Sequence, residues 1–126
     1  MSAAILEHTN LTVSDPERTA EMLCRIFDWK IRWSGSAIGD GRSIHVGGLD
    51  SYLALYVHPE MKKDEINSYL TRGGLNHLGI VVKDLDQVER RVIDYGLVPI
   101  NHADYEPGRR FYFRDHDNIE YEVIEY

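Results

Sequence analysis

Two histidines occupy the same place in two similar stretches. His8 lies in "LEHTNLTVSD", residues 6–15, and His77 in "LNHLGIVVKD", residues 75–84. Imidazole is the side chain best suited to switch between proton donor and acceptor near neutral pH, and it is a common metal ligand. A lone strand histidine is more often structural than functional. Two at matching points of a repeated pattern pose a sharper choice between a pair of core residues and two halves of one site. The register is gap-free: 77 − 8 and 84 − 15 both give 69, and Leu6/Leu75, Leu11/Ile80 and Val13/Val82 fall in line.

Those histidines need strands to hold them, and the surrounding pattern supplies strands. "ILEHTNLTV" alternates and ends in β-branched residues, as a half-buried strand does. "SDPERTAEMLCRIFDW" follows as a helix, with Ser14 or Asp15 as its cap and Pro16 in the first turn, where its missing N–H is not needed. Thr19, Leu23, Ile26 and Phe27 recur at helical spacing and form its expected buried face. "KIRWSGSAI", "RSIHVGG" and "SYLALYVH" read as three strands separated by the turn segments "GDG" and "GGLD". The polar stretch over 59–73 breaks the pattern and reads as a linker with room for a helical turn. The order then repeats. "LNHLGIVV" is a strand, "DLDQVERRVIDYG" a helix capped by Asp84 and stopped by Gly96, and "LVPI", "RRFYFRD" and "IEYEVIEY" are strands. Strand, helix and three strands, twice over, is a duplication, with units over about 5–58 and 74–126.

Composition narrows the function classes. The chain has 126 residues, 43% of them hydrophobic, enough for one domain with a packed core. Its 21 acidic residues outnumber 14 basic ones, for a net charge of −7. Nucleic acid and anionic membrane surfaces attract the opposite balance, so neither is an expected partner. Arg109 and Arg110 form a local basic pair that could meet an anion. Cys24 is the sole cysteine, so no intramolecular disulfide can form, and it is expected to be a small buried residue. With no run of about 18 apolar residues and no evident signal peptide, the chain reads as cytoplasmic.

The doubled βαβββ order, with a histidine opening each unit, resembles the vicinal oxygen chelate superfamily, also called the glyoxalase, bleomycin-resistance and extradiol dioxygenase superfamily. The strongest local likeness is "FYFRDHDNIEYEVIE", residues 111–125. Family members often end with an aromatic strand, a turn similar to "DPDG" and a glutamate seven residues after its first Asp. Here the turn is "DHDN", with His116 and Asn118 in place of the usual Pro and Gly, and the glutamate is Glu122. Asn tolerates a left-handed turn conformation, so that departure is mild.

The resemblance implies an α+β fold: two βαβββ units forming a cup-shaped, mixed but mostly antiparallel sheet with helices outside, in a single domain and often a homodimer. It implies metal ligands His8, His77 and Glu122. The fourth family position, carried over by repeat spacing, falls on Ala54, which cannot bind a metal. Two imidazoles and one carboxylate leave positions open for substrate oxygens and suit Fe(II) or Mn(II), with Ni(II) or Zn(II) as further candidates. The implied activity is that of a divalent-metal-dependent enzyme acting on a small molecule with vicinal oxygens, dioxygenase-like or thiol-transferase-like. A glyoxalase-like lyase or isomerase with a substitute fourth ligand stays open, as does a metal-free protein that sequesters a drug or metabolite. Tyr112, ten residues before Glu122, matches the family tyrosine over the metal, and strand parity puts Arg110 and Arg114 beside it. His58, sharing parity with Ala54 and Tyr56, is a candidate base or substitute ligand. His102 lies upstream of "FY" as a weaker match. His45 is expected off the site, because the repeat alignment pairs Ile44 with Tyr112.

Overall fold

The computed structural model describes residues 2–126. It divides into two compact units, one ending at Lys62 and the other beginning at Lys63. In the first unit β1 (His8–Thr12) leads into α1 (Pro16–Phe27), followed by β2 (Lys30–Ser36), β3 (Arg42–Gly47) and β4 (Tyr52–Val57). In the second, β5 (Leu78–Val81) leads into α2 (Leu85–Tyr95), then β6 (Ile100–Tyr105), β7 (Gly108–Arg114) and β8 (Glu120–Glu125). Each unit builds one four-stranded sheet, ordered β1-β4-β3-β2 and β5-β8-β7-β6. The opening strand pairs parallel to the closing strand, and the other ladders are antiparallel. The class is α+β.

Local chemistry accounts for the helices. The Asp15 side chain accepts the Arg18 N–H, Pro16 sits at the first helical position, and Asp28 closes α1 in the left-handed region at φ 58°. Asp84 caps α2 in the same way through the Gln87 N–H, and Gly96 ends it at φ 100°. Leu85 has an N–H where Pro16 has none, and Glu125 Oε1 accepts it at 3.1 Å. In α1, Thr19, Ala20, Met22, Leu23 and Ile26 are buried against β3 and β4, while Phe27 and Cys24 are only half-buried. Leu85, Val88 and Val92 of α2 cover Phe111, Phe113, Tyr121 and Val123 in the same way. Each helix thus covers one face of its sheet.

One element differs from the sequence expectation. "LVPI" is not a strand: β6 begins only at Ile100 and runs on through the stretch expected to be a loop, to Tyr105. Pro99 has no N–H for a ladder, and Asn101 at φ 53° sits in a register shift between Ile100 and Ala103. No residue of β6 is buried, so the strand never shows the alternation that marks strands in sequence. The polar linker does carry a helical turn. Ser68–Leu70 forms a 3-10 turn within the second unit, with Asn67 accepting the Tyr69 N–H.

Candidate functional site

On the second sheet, the face away from α2 gathers polar side chains. Glu120 and Glu122 are two apart in β8 and share that face. Their cross-strand partners in β7 are Arg114 and Tyr112, and Arg110 stands opposite Ile124. His77, just before β5, joins them. Its Nε2 is 3.5 Å from Glu122 Oε2 and its Nδ1 is 3.5 Å from Glu120 Oε2. The Tyr112 hydroxyl donates to Glu122 Oε2 at 2.6 Å, and its ring meets the His77 ring edge-on at 5.7 Å. Arg110 Nη1 lies 3.8 Å from Glu122 Oε1. The Arg110 side chain is only 12% exposed and its Nε is buried without a hydrogen-bond partner, so it is no ordinary surface charge. Arg114 Nη2 donates to Glu120 Oε1 at 3.1 Å, and the Tyr69 hydroxyl donates to Glu120 Oε2 at 2.6 Å.

These contacts set the protonation states. Hydrogen bonding to the Glu122 carboxylate, aided by burial, pushes the Tyr112 phenol up to about 12, so it stays a hydrogen-bond donor throughout the neutral range. Burial alone would raise Glu120, but the Tyr69 and Arg114 bonds outweigh it and hold the carboxyl below its ordinary value. The "DHDN" turn fixes β8 in place. Asp115 Oδ1 accepts the N–H groups of Asp117 and Ile119 at 2.9 and 3.0 Å, and its Oδ2 accepts the Tyr121 hydroxyl at 2.9 Å. Burial raises the Asp115 pKa in spite of these bonds. Asn118 takes the left-handed conformation that asparagine tolerates, at φ 62°.

The first sheet presents a different face. His8 Nδ1 lies 3.0 Å from Glu7 Oε1, and the ring stacks on Tyr52 at 4.9 Å and 14°. Tyr52 stacks on His45 at 4.7 Å, and His45 meets Trp33 at 4.9 Å. The Arg32 guanidinium covers the Tyr52 ring at 4.6 Å. Burial, then the His8 and Arg32 charges, lowers the His45 pKa. The ladders identify equivalent positions. Asn10 pairs with Ala54 as Gly79 pairs with Glu122, so Ala54 does occupy the Glu122 place. Across the next ladder, however, Ala54 faces His45 whereas Glu122 faces Tyr112. His45, not Ile44, is therefore the counterpart of Tyr112. Four residues join β3 to β4 and five join β7 to β8, and a one-residue change flips strand parity.

His58 lies just past the end of β4, where strand parity no longer applies. Its Nδ1 accepts the Glu60 N–H at 2.9 Å, which leaves the proton of a neutral ring on Nε2. His102 is half-exposed, paired with Glu89 and stacked on Phe111 at 5.9 Å. Among the described residues, no three or more His, Cys, Asp or Glu side chains form a group able to hold a metal ion. His77 and Glu122 are brought together in the second unit, while His8 belongs to the first. Tyr69, Glu120 and the Arg114–Glu120 pair were absent from the sequence expectation. Glu120 was legible by period two from Glu122, whereas Tyr69 sits in a segment with no periodicity.

The duplicated βαβββ order, with His77, Tyr112 and Glu122 brought together in the second unit, is that of a small α+β protein. The chain belongs to the Glyoxalase/Bleomycin resistance protein/Dioxygenase superfamily, whose model matches residues 5–123. Among solved structures it is similar to a glyoxylase/bleomycin resistance protein/dioxygenase domain from Frankia sp. EAN1pec, at 27% identity over 98% of both chains with a TM-score of 0.83. It also shares its fold with an antibiotic binding protein, TnmS3, from Streptomyces sp. CB03234, at 17% identity over 99% of this chain and 98% of that one, TM-score 0.75. A mutant of the fosfomycin resistance protein FosX from Listeria monocytogenes, complexed with Mn(II) and a dihydroxypropylphosphonic acid, matches at 18% identity over 98% of this chain and 93% of that one, TM-score 0.72. No curated protein matches the sequence. Among the described residues, no helix is long and apolar enough to cross a membrane.

Proposed function

We propose that this protein is a divalent-metal-dependent enzyme acting on a small molecule with two adjacent oxygens, with His8, His77 and Glu122 as its metal ligands. The carrying observation is the approach of His77 Nε2 to Glu122 Oε2 at 3.5 Å. Two donors bound to one ion at about 2.1 Å each lie roughly 3.0–3.4 Å apart, so this pair stands just wider than one cation requires and closes on it with a small side-chain movement. Mixed nitrogen and oxygen donors suit Fe(II) or Mn(II), with Ni(II) and Zn(II) as further candidates. The FosX complex, with Mn(II) beside a vicinal diol, supports the same substrate class.

When bound, such an ion supplies Lewis-acid polarisation of the two substrate oxygens. The chain's own groups do the rest. Tyr112 offers a hydroxyl donor beside Glu122 and can orient a substrate oxygen. Arg110, beside Glu122, can meet an anionic substrate group. His58, with its proton on Nε2, serves this scheme as a donor rather than a base. Ala54 leaves the first unit without a carboxylate, which favours dioxygenase-like or thiol-transferase-like chemistry over a four-ligand glyoxalase. The lone cysteine fits work in a reducing cytoplasm, and the family likeness fits a homodimer.

The test is metal content after purification without chelators, for wild type, His8→Ala, His77→Ala and Glu122→Ala. Stoichiometric metal in wild type and its loss in all three variants is expected. If wild type neither retains metal nor binds added Fe(II), Mn(II), Ni(II) or Zn(II), the metal reading fails. The second reading, a metal-free sequestering protein, then gains from the aromatic row His8–Tyr52–His45–Trp33 on the first sheet. With metal present, oxygen uptake on catechols and a hemithioacetal isomerase assay divide the reaction classes.

A further inference from the structure

The Nδ1 side of His77 carries an inference of its own. Two oxygen atoms face that nitrogen: Glu120 Oε2 at 3.5 Å and the Tyr69 hydroxyl at 3.4 Å. Tyr69 gives its single proton to Glu120 Oε2, at 2.6 Å. Toward His77 it therefore has only lone pairs to offer, and the ionised Glu120 has no proton at all. Nδ1 thus faces two acceptors, while Nε2 faces one, Glu122 Oε2; a neutral ring keeps its hydrogen on the nitrogen with the more acceptors, Nδ1. A neutral ring then has its lone pair on Nε2, and Nε2 faces Glu122 Oε2. That oxygen already accepts from Tyr112 and has nothing to donate. A lone pair and a carboxylate oxygen 3.5 Å apart are an unfavourable pair until a proton or a metal cation lies between them.

We propose that Glu120, braced by Tyr69 and Arg114, is a positioning residue that keeps the proton of neutral His77 on Nδ1 and aims the Nε2 lone pair at Glu122. Glu120 is built for this. Its side chain is 9% exposed, each of its oxygens has a dedicated partner, and it opens β8 directly after the turn that Asp115 pins. Outer carboxylates of this kind fix the tautomer and orientation of a metal-binding imidazole, and their loss typically costs ~10–100-fold in affinity. The consequence for metal affinity rests on the reading of His77 and Glu122 as ligands; the tautomer does not. His8 has a carboxylate on the same nitrogen, but Glu7 and His8 are 58% and 45% exposed, so Glu7 holds it far more loosely.

Long-range 15N–1H correlation spectra of the metal-free protein at pH 8 read the tautomer directly. Wild type is expected to show His77 as Nδ1–H. Glu120→Gln places an amide donor against Nδ1 and is expected to flip the ring to Nε2–H. Tyr69→Phe, which keeps the Glu120 charge, is expected to reduce the Nδ1–H population without abolishing it. Titration with Mn(II) alone is expected to show about 10–100-fold weaker binding for Glu120→Gln and no more than about threefold for Glu7→Gln. Wild type reading as Nε2–H or as imidazolium at that pH overturns the proposal whether or not any variant folds. An unchanged tautomer in a folded Glu120→Gln, checked by circular dichroism, also overturns it. If wild type is Nδ1–H and the variant flips, but neither binds Mn(II), the positioning role stands and the metal reading of the site is what fails.

Discussion

The open faces of the two sheets occupy equivalent positions and are chemically opposed. His8 stacks on Tyr52, whereas His77 stands beside Glu120 at the matching position of the closing strand. Ala54 answers Glu122, His45 answers Tyr112, and Gly47 answers Arg114. One unit has become an aromatic row with a single cation over it, and the other a chain of carboxylates, phenols and guanidinium groups. The helix-facing sides did not diverge in this way: Ile44 and Val46 are buried as Phe111 and Phe113 are. Packing against a helix tolerates changes of size but not of polarity. The open face has no such constraint, so duplication left it free to take two characters.

That comparison can be broken or sharpened by paired substitutions. The largest effect is expected in the cores. Phe113→Ala should cost about 3–5 kcal/mol in urea unfolding, and Val46→Ala at the equivalent place about 2 kcal/mol. Equal costs would mean that the two cores are not packed alike. Next, Glu122→Ala should weaken Mn(II) binding at least ~100-fold, or about 2.7 kcal/mol, whereas Ala54→Ser should leave it within about threefold by calorimetric titration. A large loss from Ala54→Ser would put the metal reading of the asymmetry in error.

A smaller effect concerns the turns. The Asp115 carboxyl is raised by burial, so its contribution to stability is fully present below the unfolded value, about 3.9, and is lost as pH rises through the folded value. Asp115→Asn can keep both backbone bonds on Oδ1 and donate from its amide to Tyr121. Urea unfolding from pH 4 to 7 should therefore show wild type losing stability relative to Asp115→Asn. A flat difference across that range would contradict the burial argument. The smallest effect is at the helix starts. Asp15→Ala and Asp84→Ala should each cost about 1 kcal/mol and agree within a few tenths. A much larger cost at Asp84 would show that Glu125 does not satisfy the Leu85 N–H independently.

Much of this was legible in the sequence wherever the signal was local. Both caps, the stop at Gly96 and the pairing of His8 with His77 follow from residue types within one turn or one strand. The equivalence of Ala54 and Glu122 also survived, because β1–β4 and β5–β8 keep the same ladder. The place of His45 did not, since parity across β3 depends on the length of a turn that differs by one residue between the units. β6 escaped notice because a strand with no buried residue has no alternation to read. Tyr69 escaped because a side chain on an aperiodic segment carries no sign of what it will touch.

Sequence by itself determined that the chain is a duplicated α+β protein, that each copy opens with a histidine, and that only the second closes on a carboxylate. Those are matters of order and spacing, which a linear chain records. Tertiary structure alone decided which groups face each other: Tyr112 and Glu122 across a ladder, Glu120 against His77, and Tyr69 brought back from 51 residues away to hold Glu120. The reason is that hydrogen-bond register sums every residue between two strands, so one extra turn residue is invisible locally and changes which side chains meet.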